Sequence, residues 1–262
     1  ILNMYKNGSY HSVHMLPNGL ISGGSEQEAL TWMNAFFECS PVTPRNGMPV
    51  EVNALWYNAI MFALETAALA KDTKFVKAWK PLADQFPEVF KETFWCKDKG
   101  YLADCVNGDY QDFSVRSNQI IAVGLHYSPI SNKISQLVLE KVRQELLTPR
   151  GLRTLSPKHE YYKPVYEGNA VQRDLAYHQG TVWVWQLPFF VQGYINIYKT
   201  AKLDFIHQLY HGFAQTISEY CVGSIAEIYN ADPPHRPNGA ISQAWSVGAL
   251  LRIHQLLKTC TK

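Results

Sequence analysis

The clearest candidate for a catalytic group in this sequence is a carboxylate in a predicted loop. Polar and aromatic residues follow it at the start of the next predicted helix. Glu227 precedes a Pro- and Gly-rich stretch, and Gln243 and Trp245 follow at the start of a predicted helix. Such a group can hold a sugar beside an acid or base, because aromatic rings stack on the C–H face of a sugar while amides bond its hydroxyls. An isolated glutamate is more often a solvated surface charge. Acid and base catalysis on a sugar also needs a second carboxyl group, which is harder to find here.

Other side chains have the types that bind sugars or position catalytic groups. The aromatic candidates are Trp32, Trp56, Trp183 and Trp245, although Trp56 on an amphipathic helix fits a core residue equally well. The polar candidates are Arg45, Glu51, Asn53, Arg116, Gln119, His178 and Gln179. Glu51 could also simply complement a helix dipole. Asp174 follows Arg173, and the two fit either a structural ion pair or an approach of Asp174 to the site. No second ligand lies at metal spacing from His178, so we expect no metal or other cofactor.

The composition excludes several classes of protein. The chain has 262 residues and a net charge of +2 with dispersed Lys and Arg, so nucleic acid is not a predicted partner. Its five cysteines lack paired spacing, which argues against a disulfide framework or zinc site. We find no apolar run of membrane-spanning length and no signal peptide, and we expect a cytoplasmic protein without membrane contact. An aromatic content of 13% suits a sugar site or a large aromatic core.

Hydrophobic periodicity predicts an all-α protein with one β-hairpin at 94–102. Helices are predicted at about 51–70, 73–94, 114–125, 131–147, 180–199, 203–220 and 243–259. Pro81 and Pro87 should kink or divide the second of these. No linker divides the chain, so residues 1–262 are expected to belong to one domain. Long loops at 21–50, 148–179 and 221–242 carry most of the candidates, and we expect them to form one site at the helix ends.

Six segments resemble the C-terminal domain of glycogen debranching enzymes, the amylo-α-1,6-glucosidase family. They are TWM at 31–33, PVTPRNGMPVEVNALWYNA at 41–59, SVRSNQ at 114–119, GLRTLS at 151–156, YHQGTVW at 177–183 and EIYNAD at 227–232. The resemblance implies an (α/α)6 barrel and inverting hydrolysis of the single glucose at an α-1,6 branch point of glycogen or a related α-glucan. About seven helices cannot close a barrel of twelve. We therefore expect an incomplete barrel that lacks its first helices and folds poorly alone, because inner apolar faces are exposed.

The resemblance places the catalytic base at Glu227 and the catalytic acid at Asn34. Family members have Asp after the Thr-Trp-Met segment, and an amide cannot act as a general acid at neutral pH. Three interpretations stay open: Asn34 inactivates a chain that still binds glucan, Glu51 or Asp174 supplies the proton, or the acid lies elsewhere. The alternatives to a debranching glucosidase are therefore an impaired glucan-binding protein and another exo-α-glucosidase of the same barrel class.

Overall fold

Helices dominate the computed structural model, which describes residues 1–9, 12–199, 201–220 and 222–260. The α-helices of the described residues are α1 (Leu2–Asn7), α2 (Val50–Leu69), α3 (Thr73–Phe94), α4 (Gln119–Gly124), α5 (Asn132–Glu145), α6 (Ala170–Ala176), α7 (Leu187–Tyr198), α8 (Leu203–His211) and α9 (Ala244–Cys260). All seven predicted helices are present, although several are shorter than the periodicity indicated. The short helices α1 and α6 were not predicted. Cys221 lies outside the described residues.

The longer helices form two rows. Helices α2, α4, α7 and α9 contact one another in that order, while α3 packs on α2, α5 on α4 and α7, and α8 on α9. Gly124 permits the close contact of α4 with α7, because a Cβ there would lie 2.2 Å from the carbonyl oxygen of Phe189. The hydrophobic core lies between the rows, and the inner row supports the loops that carry the candidate residues.

Helix α3 continues through Pro81 and Pro87, so the two prolines do not divide the helix. The helix starts at a side-chain cap, in which Asp72 accepts a hydrogen bond from the backbone N–H of Phe75. Its buried residues lie at helical spacing and are Trp79, Ala83, Phe86, Phe90 and Phe94. Phe86 stacks on Tyr57 of α2 with ring centroids 5.1 Å apart. This packing stabilises the helix where proline removes backbone hydrogen bonds.

Short strands occupy much of the sequence that was predicted as loop, so a purely α-helical description with one hairpin is incomplete. In the described residues they are β1 (His14–Met15), β2 (Ile21–Ser22), β3 (Phe36–Phe37), β4 (Ser40–Pro41), β5 (Met48–Pro49), β6 (Trp95–Cys96), β7 (Tyr101–Leu102), β8 (Cys105–Asn107), β9 (Tyr110–Asp112), β10 (Leu147–Thr148), β11 (Gly151–Arg153), β12 (Val182–Trp183), β13 (Ile228–Tyr229) and β14 (Pro237–Asn238). The predicted hairpin is confirmed as β6 and β7. These ladders satisfy backbone groups that a buried loop would leave unpaired.

One five-stranded antiparallel sheet gathers three of the segments that carry candidate residues. Its order is β10, β11, β12, β13 and β14. Trp183 pairs with Leu152 on one side and with Ile228 on the other. The sheet therefore brings the His178–Trp183 region next to Glu227, which immediately precedes β13. Within the described ranges, none of the helices has the length and apolar character needed to cross a membrane.

Candidate active site

The Glu227 carboxylate accepts three hydrogen bonds and remains partly open to solvent. Its Oε1 accepts hydrogen bonds from Tyr177 Oη at 2.6 Å and from Gln243 Nε2 at 3.3 Å. Its Oε2 accepts one from the backbone N–H of Ala240 at 2.9 Å. The Glu227 N–H in turn donates to the Ala240 carbonyl at 3.0 Å. The carboxylate is half-buried and is held in one orientation.

Tyr177 is a donor to this carboxylate. Burial and the hydrogen bond to Glu227 raise the pKa of Tyr177, so its hydroxyl remains protonated at neutral pH. The ring of Tyr166 lies 5.4 Å from the ring of Tyr177, and the half-buried Asp174 adds its negative charge near both tyrosines. Asp174 is therefore on the Glu227 side of the site. Of the two interpretations left open for Arg173 and Asp174, the ion pair does not occur among the described residues, and Arg173 donates to the Gly168 carbonyl at 2.8 Å.

Tryptophan rings and one histidine form a cluster beside Glu227. Trp32 makes edge contacts with His178, Trp183 and Trp185 at centroid distances of 5.2, 5.2 and 5.0 Å. Trp245 stacks on Trp185 at 5.4 Å and meets the edge of Trp183 at 5.5 Å. The structure thus brings together three tryptophans predicted for the site, whereas Trp185 was not predicted. Trp245 is 39% exposed and Trp183 is buried, so only part of the cluster can contact a ligand.

His178 is fully buried within this cluster. Its ring stacks on Trp183 with centroids 5.4 Å apart, and neither ring nitrogen has a hydrogen-bond partner among the residues described. Burial, with the positive charges of Arg116 and Arg45, lowers the pKa of His178 to about 3. The imidazole is therefore neutral at physiological pH and supplies an uncharged polar group to an aromatic environment.

The segment around the expected acid position is fixed by a buried amide. Asn118 Oδ1 accepts a hydrogen bond from Trp32 Nε1 at 2.7 Å, and Asn118 Nδ2 lies 3.5 Å from the Met33 sulfur. Asn118 Nδ2 also donates to Asp104 Oδ1 at 2.8 Å. Asn34 follows with an exposed side chain. Asn118 thus holds the side chains of both residues that precede position 34. Position 34 itself carries an amide.

A buried cluster of two carboxylates and two guanidinium groups supports this anchor. Arg45 donates to both oxygens of Glu51 at 2.5 Å and to Asp104 Oδ2 at 2.7 Å. Arg116 Nε lies 3.9 Å from the same Asp104 oxygen. All four side chains are buried. Burial disfavours the charge on Arg45, but Asp104 and Glu51 outweigh it and raise the pKa of Arg45. Each buried charge in the cluster lies beside a charge of opposite sign. Buried charges are tolerated in a protein only when they are paired in this way.

Several residues predicted to bind substrate have protein partners instead. The Asn53 amide bonds the backbone of Ile21 and Pro49, and Trp56 Nε1 donates to the Gly19 carbonyl at 3.1 Å. Gln119 and Gln179 are likewise buried and bonded to the protein. The structure therefore shows that side chains of this set hold loops together by contacts within the protein; the set is Arg45, Glu51, Asn53, Trp56, Arg116, Gln119 and Gln179. Most of their hydrogen-bonding atoms have protein partners, which the sequence did not indicate, whereas Arg116 Nε has no hydrogen-bond partner among the described residues.

Four residues of the site were missed by the sequence reasoning: Tyr177, Trp185, Asn118 and Asp104. Tyr177 and Asn118 lie inside two of the segments that carry the family resemblance, so a signal was present. Trp185 follows Trp183 in a strand-like run, where a period of two places both rings on one face. Asp104 had no local signal, because its partner Arg45 is 59 positions away. The described part of the chain contains no group of three metal-binding side chains.

Solved structures with a similar fold include two hydrolases. The chain is similar in fold to a GH63 mannosylglycerate hydrolase from Thermus thermophilus in complex with glucose, with a TM-score of 0.58 and 16% identity over 81% of this chain and 46% of that one. It is also similar to a neutral trehalase from Saccharomyces cerevisiae, with a TM-score of 0.57 and 14% identity over 81% of this chain and 40% of that one. The chain therefore has a fold that is also found in glycoside hydrolases.

The family model described as amylo-alpha-1,6-glucosidase matches residues 1–252, and the chain belongs to this family. A relative, the glycogen debranching enzyme of Saccharomyces cerevisiae, is 25% identical over 89% of this chain. The match spans only 19% of that relative's length. The family resemblance recognised in the sequence is thereby confirmed.

Proposed function

We propose that the chain forms part of an inverting α-1,6-glucosidase site that releases glucose from branch points of glycogen or a related α-glucan, with Glu227 as base. The observation that carries the proposal is the position of Glu227, a fixed and partly accessible carboxylate beside a tryptophan cluster. The family membership and the debranching relative support the choice of an α-1,6-linked glucan. A similar fold that binds glucose supports a glucose-sized subsite.

Glu227 would remove a proton from water as the water oxygen attacks the anomeric carbon. In an inverting reaction the water approaches from the face opposite the leaving oxygen, and a carboxylate base about 6.5–9.5 Å from the acid leaves room for it. The half-buried carboxylate fits this task, because the hydrogen bonds fix its orientation without closing it off from solvent. Trp245, which is 39% exposed, and the edge of Trp32 would contact the sugar.

In this proposal, the position of the catalytic acid holds an amide and no carboxyl group. Asn34 cannot protonate the leaving oxygen, and loss of acid catalysis costs roughly 10²- to 10⁴-fold in rate. Glu51 is a poor substitute because both of its oxygens accept hydrogen bonds from Arg45 and its side chain is buried. Asp174 is also unsuitable, since it lies beside the same tyrosines as Glu227 and an acid is needed across the sugar. We therefore expect slow hydrolysis of ordinary glucosides.

We further propose that the two helix rows are part of a larger (α/α)6 barrel. Leu55, Phe62 and Leu69 recur every seven residues on α2 and are 43, 63 and 80% exposed, and Leu251 of α9 is 62% exposed. Contiguous exposed apolar side chains are typical of contact surfaces, and further helices would cover these faces. The core between the rows is nevertheless continuous. In contrast to the poor folding expected from the helix count, we therefore expect the chain to fold with these faces exposed, and the absence of a cooperative melt would contradict this expectation.

The second candidate function is glucan binding without turnover, which the amide at Asn34 specifically favours. One experiment separates the two: glucose release from a branched limit dextrin by the chain and by Asn34→Asp. A vacant acid position predicts a gain of about a hundredfold or more in the variant, because a carboxylic acid is restored where the family has one. The matched control is Asn34→Asp combined with Glu227→Gln, in which the gain should disappear.

Each result bears on one part of the proposal. No gain with Asn34→Asp would place the acid elsewhere, and a gain that survives Glu227→Gln would remove Glu227 as the base. Release of glucose from α-1,4 oligosaccharides in preference to isomaltosyl-branched ones would replace debranching by a different exo-α-glucosidase activity. Tight dextrin binding by the chain with no glucose release by either variant would favour the binding protein.

A further inference from the structure

The two oxygens of the Glu227 carboxylate have different hydrogen-bond environments. Oε1 accepts two hydrogen bonds, from Tyr177 Oη at 2.6 Å and from Gln243 Nε2 at 3.3 Å. Oε2 accepts a single one, from the Ala240 N–H at 2.9 Å. A carboxylate oxygen has two lone pairs for hydrogen bonding. Among the described contacts, Oε1 is therefore fully engaged and Oε2 retains one lone pair.

Tyr177 is itself rigid, which makes it suited to hold Oε1. Its ring packs against His178, Trp183 and Tyr166 at centroid distances of 4.6, 5.1 and 5.4 Å. Its carbonyl accepts hydrogen bonds from Thr181 Oγ1 at 2.6 Å and from Trp183 Nε1 at 3.2 Å. Both the ring and the backbone of Tyr177 are thus fixed by the same tryptophan cluster that borders the site. The hydroxyl cannot follow the carboxylate if the carboxylate rotates.

The backbone at Gly239 closes the opposite side of the carboxylate. Gly239 has φ +72°, and a Cβ on this residue would lie 2.4 Å from Glu227 Oε2. The main chain therefore approaches Oε2 more closely than a larger residue would permit. The Gly239 backbone and the Ala240 N–H together cover part of the surroundings of Oε2. We infer that a further proton can reach Oε2 from one side only.

We propose that Tyr177 is a positioning residue that reserves Oε2 of Glu227 as the atom that accepts the proton of the attacking water. This inference rests on the proposed role of Glu227 as base. In the step, an O–H bond of water breaks and its proton goes to Oε2, while the water oxygen bonds the anomeric carbon and the bond from that carbon to the leaving group breaks. With a glycosyl fluoride the leaving group departs as fluoride, so no acid is needed at Asn34.

The test is fluoride release from α-glucosyl fluoride by the 262-residue chain and by Tyr177→Phe, which removes only the hydroxyl. Losing one hydrogen bond to a charged group should lower kcat by roughly 10- to 100-fold and leave KM nearly unchanged. The matched control is Tyr166→Phe, whose ring lies beside Tyr177 and which makes no hydrogen bond to Glu227 among the described contacts. That control should retain the rate of the unmodified chain.

Azide distinguishes positioning of the base from a general structural effect. Azide is an anionic nucleophile that needs no deprotonation, so it should restore turnover of Tyr177→Phe and of Glu227→Ala and yield β-glucosyl azide. A folding or binding defect would not be restored in this way. Gln243→Met removes the other Oε1 donor, and it should give a smaller decrease that azide also restores, which provides a second test if Tyr177→Phe is unstable.

The outcomes separate this inference from the proposed function. If Tyr177→Phe has the kcat of Tyr166→Phe, or if its decrease is not restored by azide, the inference is overturned while Glu227 remains the base. If the unmodified chain releases no fluoride, or releases it equally fast after Glu227→Gln, then the proposed function fails and the inference fails with it. A Glu227-dependent rate that falls in Tyr177→Phe and returns with azide supports both.

Discussion

Protonation of His178 should destabilise the fold at mildly acidic pH. The ring is fully buried, and burial together with Arg116 and Arg45 lowers the pKa of His178 to about 3 in the folded chain. An unfolded histidine has a pKa of about 6.5, so between these values the unfolded state binds one more proton than the folded state. The stabilisation by neutral His178 is thus fully present above pH 6.5 and is lost as the pH falls towards 3.

The expected magnitude follows from the linkage relation. Each pH unit below 6.5 costs about 1.4 kcal/mol for one such group, which gives about 3 kcal/mol between pH 6.5 and pH 4.5. The assay is urea unfolding at both pH values for the chain and for His178→Gln, which cannot take up this proton. The free energy of unfolding should decrease by about 3 kcal/mol more in the chain than in the variant.

Carboxylates titrate in the same range, but they do so in both proteins and cancel in the comparison. His126→Gln, at an exposed histidine, is the matched control and should keep the pH dependence of the unmodified chain. An equal pH dependence for the chain and His178→Gln would refute the reasoning, because it would mean that His178 is charged or accessible in the folded state.

Two further predictions concern the loops that hold the site. Gly239→Ala should lower fluoride release from α-glucosyl fluoride by tenfold or more, because the added methyl would lie 2.4 Å from Glu227 Oε2 at a φ of +72°. Arg45→Met should destabilise the chain by about 3–5 kcal/mol in urea unfolding, since Glu51 and Asp104 would be left buried without their partner.

Each of these two predictions has a matched control elsewhere in the chain. Gly108→Ala introduces a side chain at a φ of +57° with no atom within 4 Å, so it tests backbone strain alone and should leave the rate unchanged. Lys80→Met breaks an exposed pair with Asp84 and should cost less than about 1 kcal/mol. Equal effects of Gly108→Ala and Gly239→Ala, or of Lys80→Met and Arg45→Met, would contradict the structural argument.

The sequence predicted the helices well because their apolar residues recur at short range. The stripe from Trp79 to Phe94 on α3 is an example, and it also explains why Pro81 and Pro87 do not divide that helix. Apart from the β6–β7 hairpin, the strands could not be predicted because most have only two residues, too few for an alternating pattern. Their pairing, such as Trp183 with Ile228, depends on contacts between distant segments.

The sequence indicated some of the residues that the structure brings together at the candidate site, but not their contacts. The positions of Glu227 and Trp32 followed from the family resemblance, and the structure places both at the tryptophan cluster. The sequence did not indicate that Glu51, at the start of a helix, is held by a buried arginine six residues earlier. Residue type alone does not reveal whether a polar side chain already has a protein partner. Only the fold supplied Asp104 as the third member of that cluster.

The central claim is that Glu227 activates water for inversion at the anomeric carbon of an α-glucoside. The most direct test follows the anomers of glucose by proton NMR as the chain hydrolyses α-glucosyl fluoride, with Glu227→Gln measured alongside. We predict that β-glucose appears first and that Glu227→Gln forms it at least a hundredfold more slowly. Initial formation of α-glucose, or an unchanged rate in Glu227→Gln, would contradict the claim.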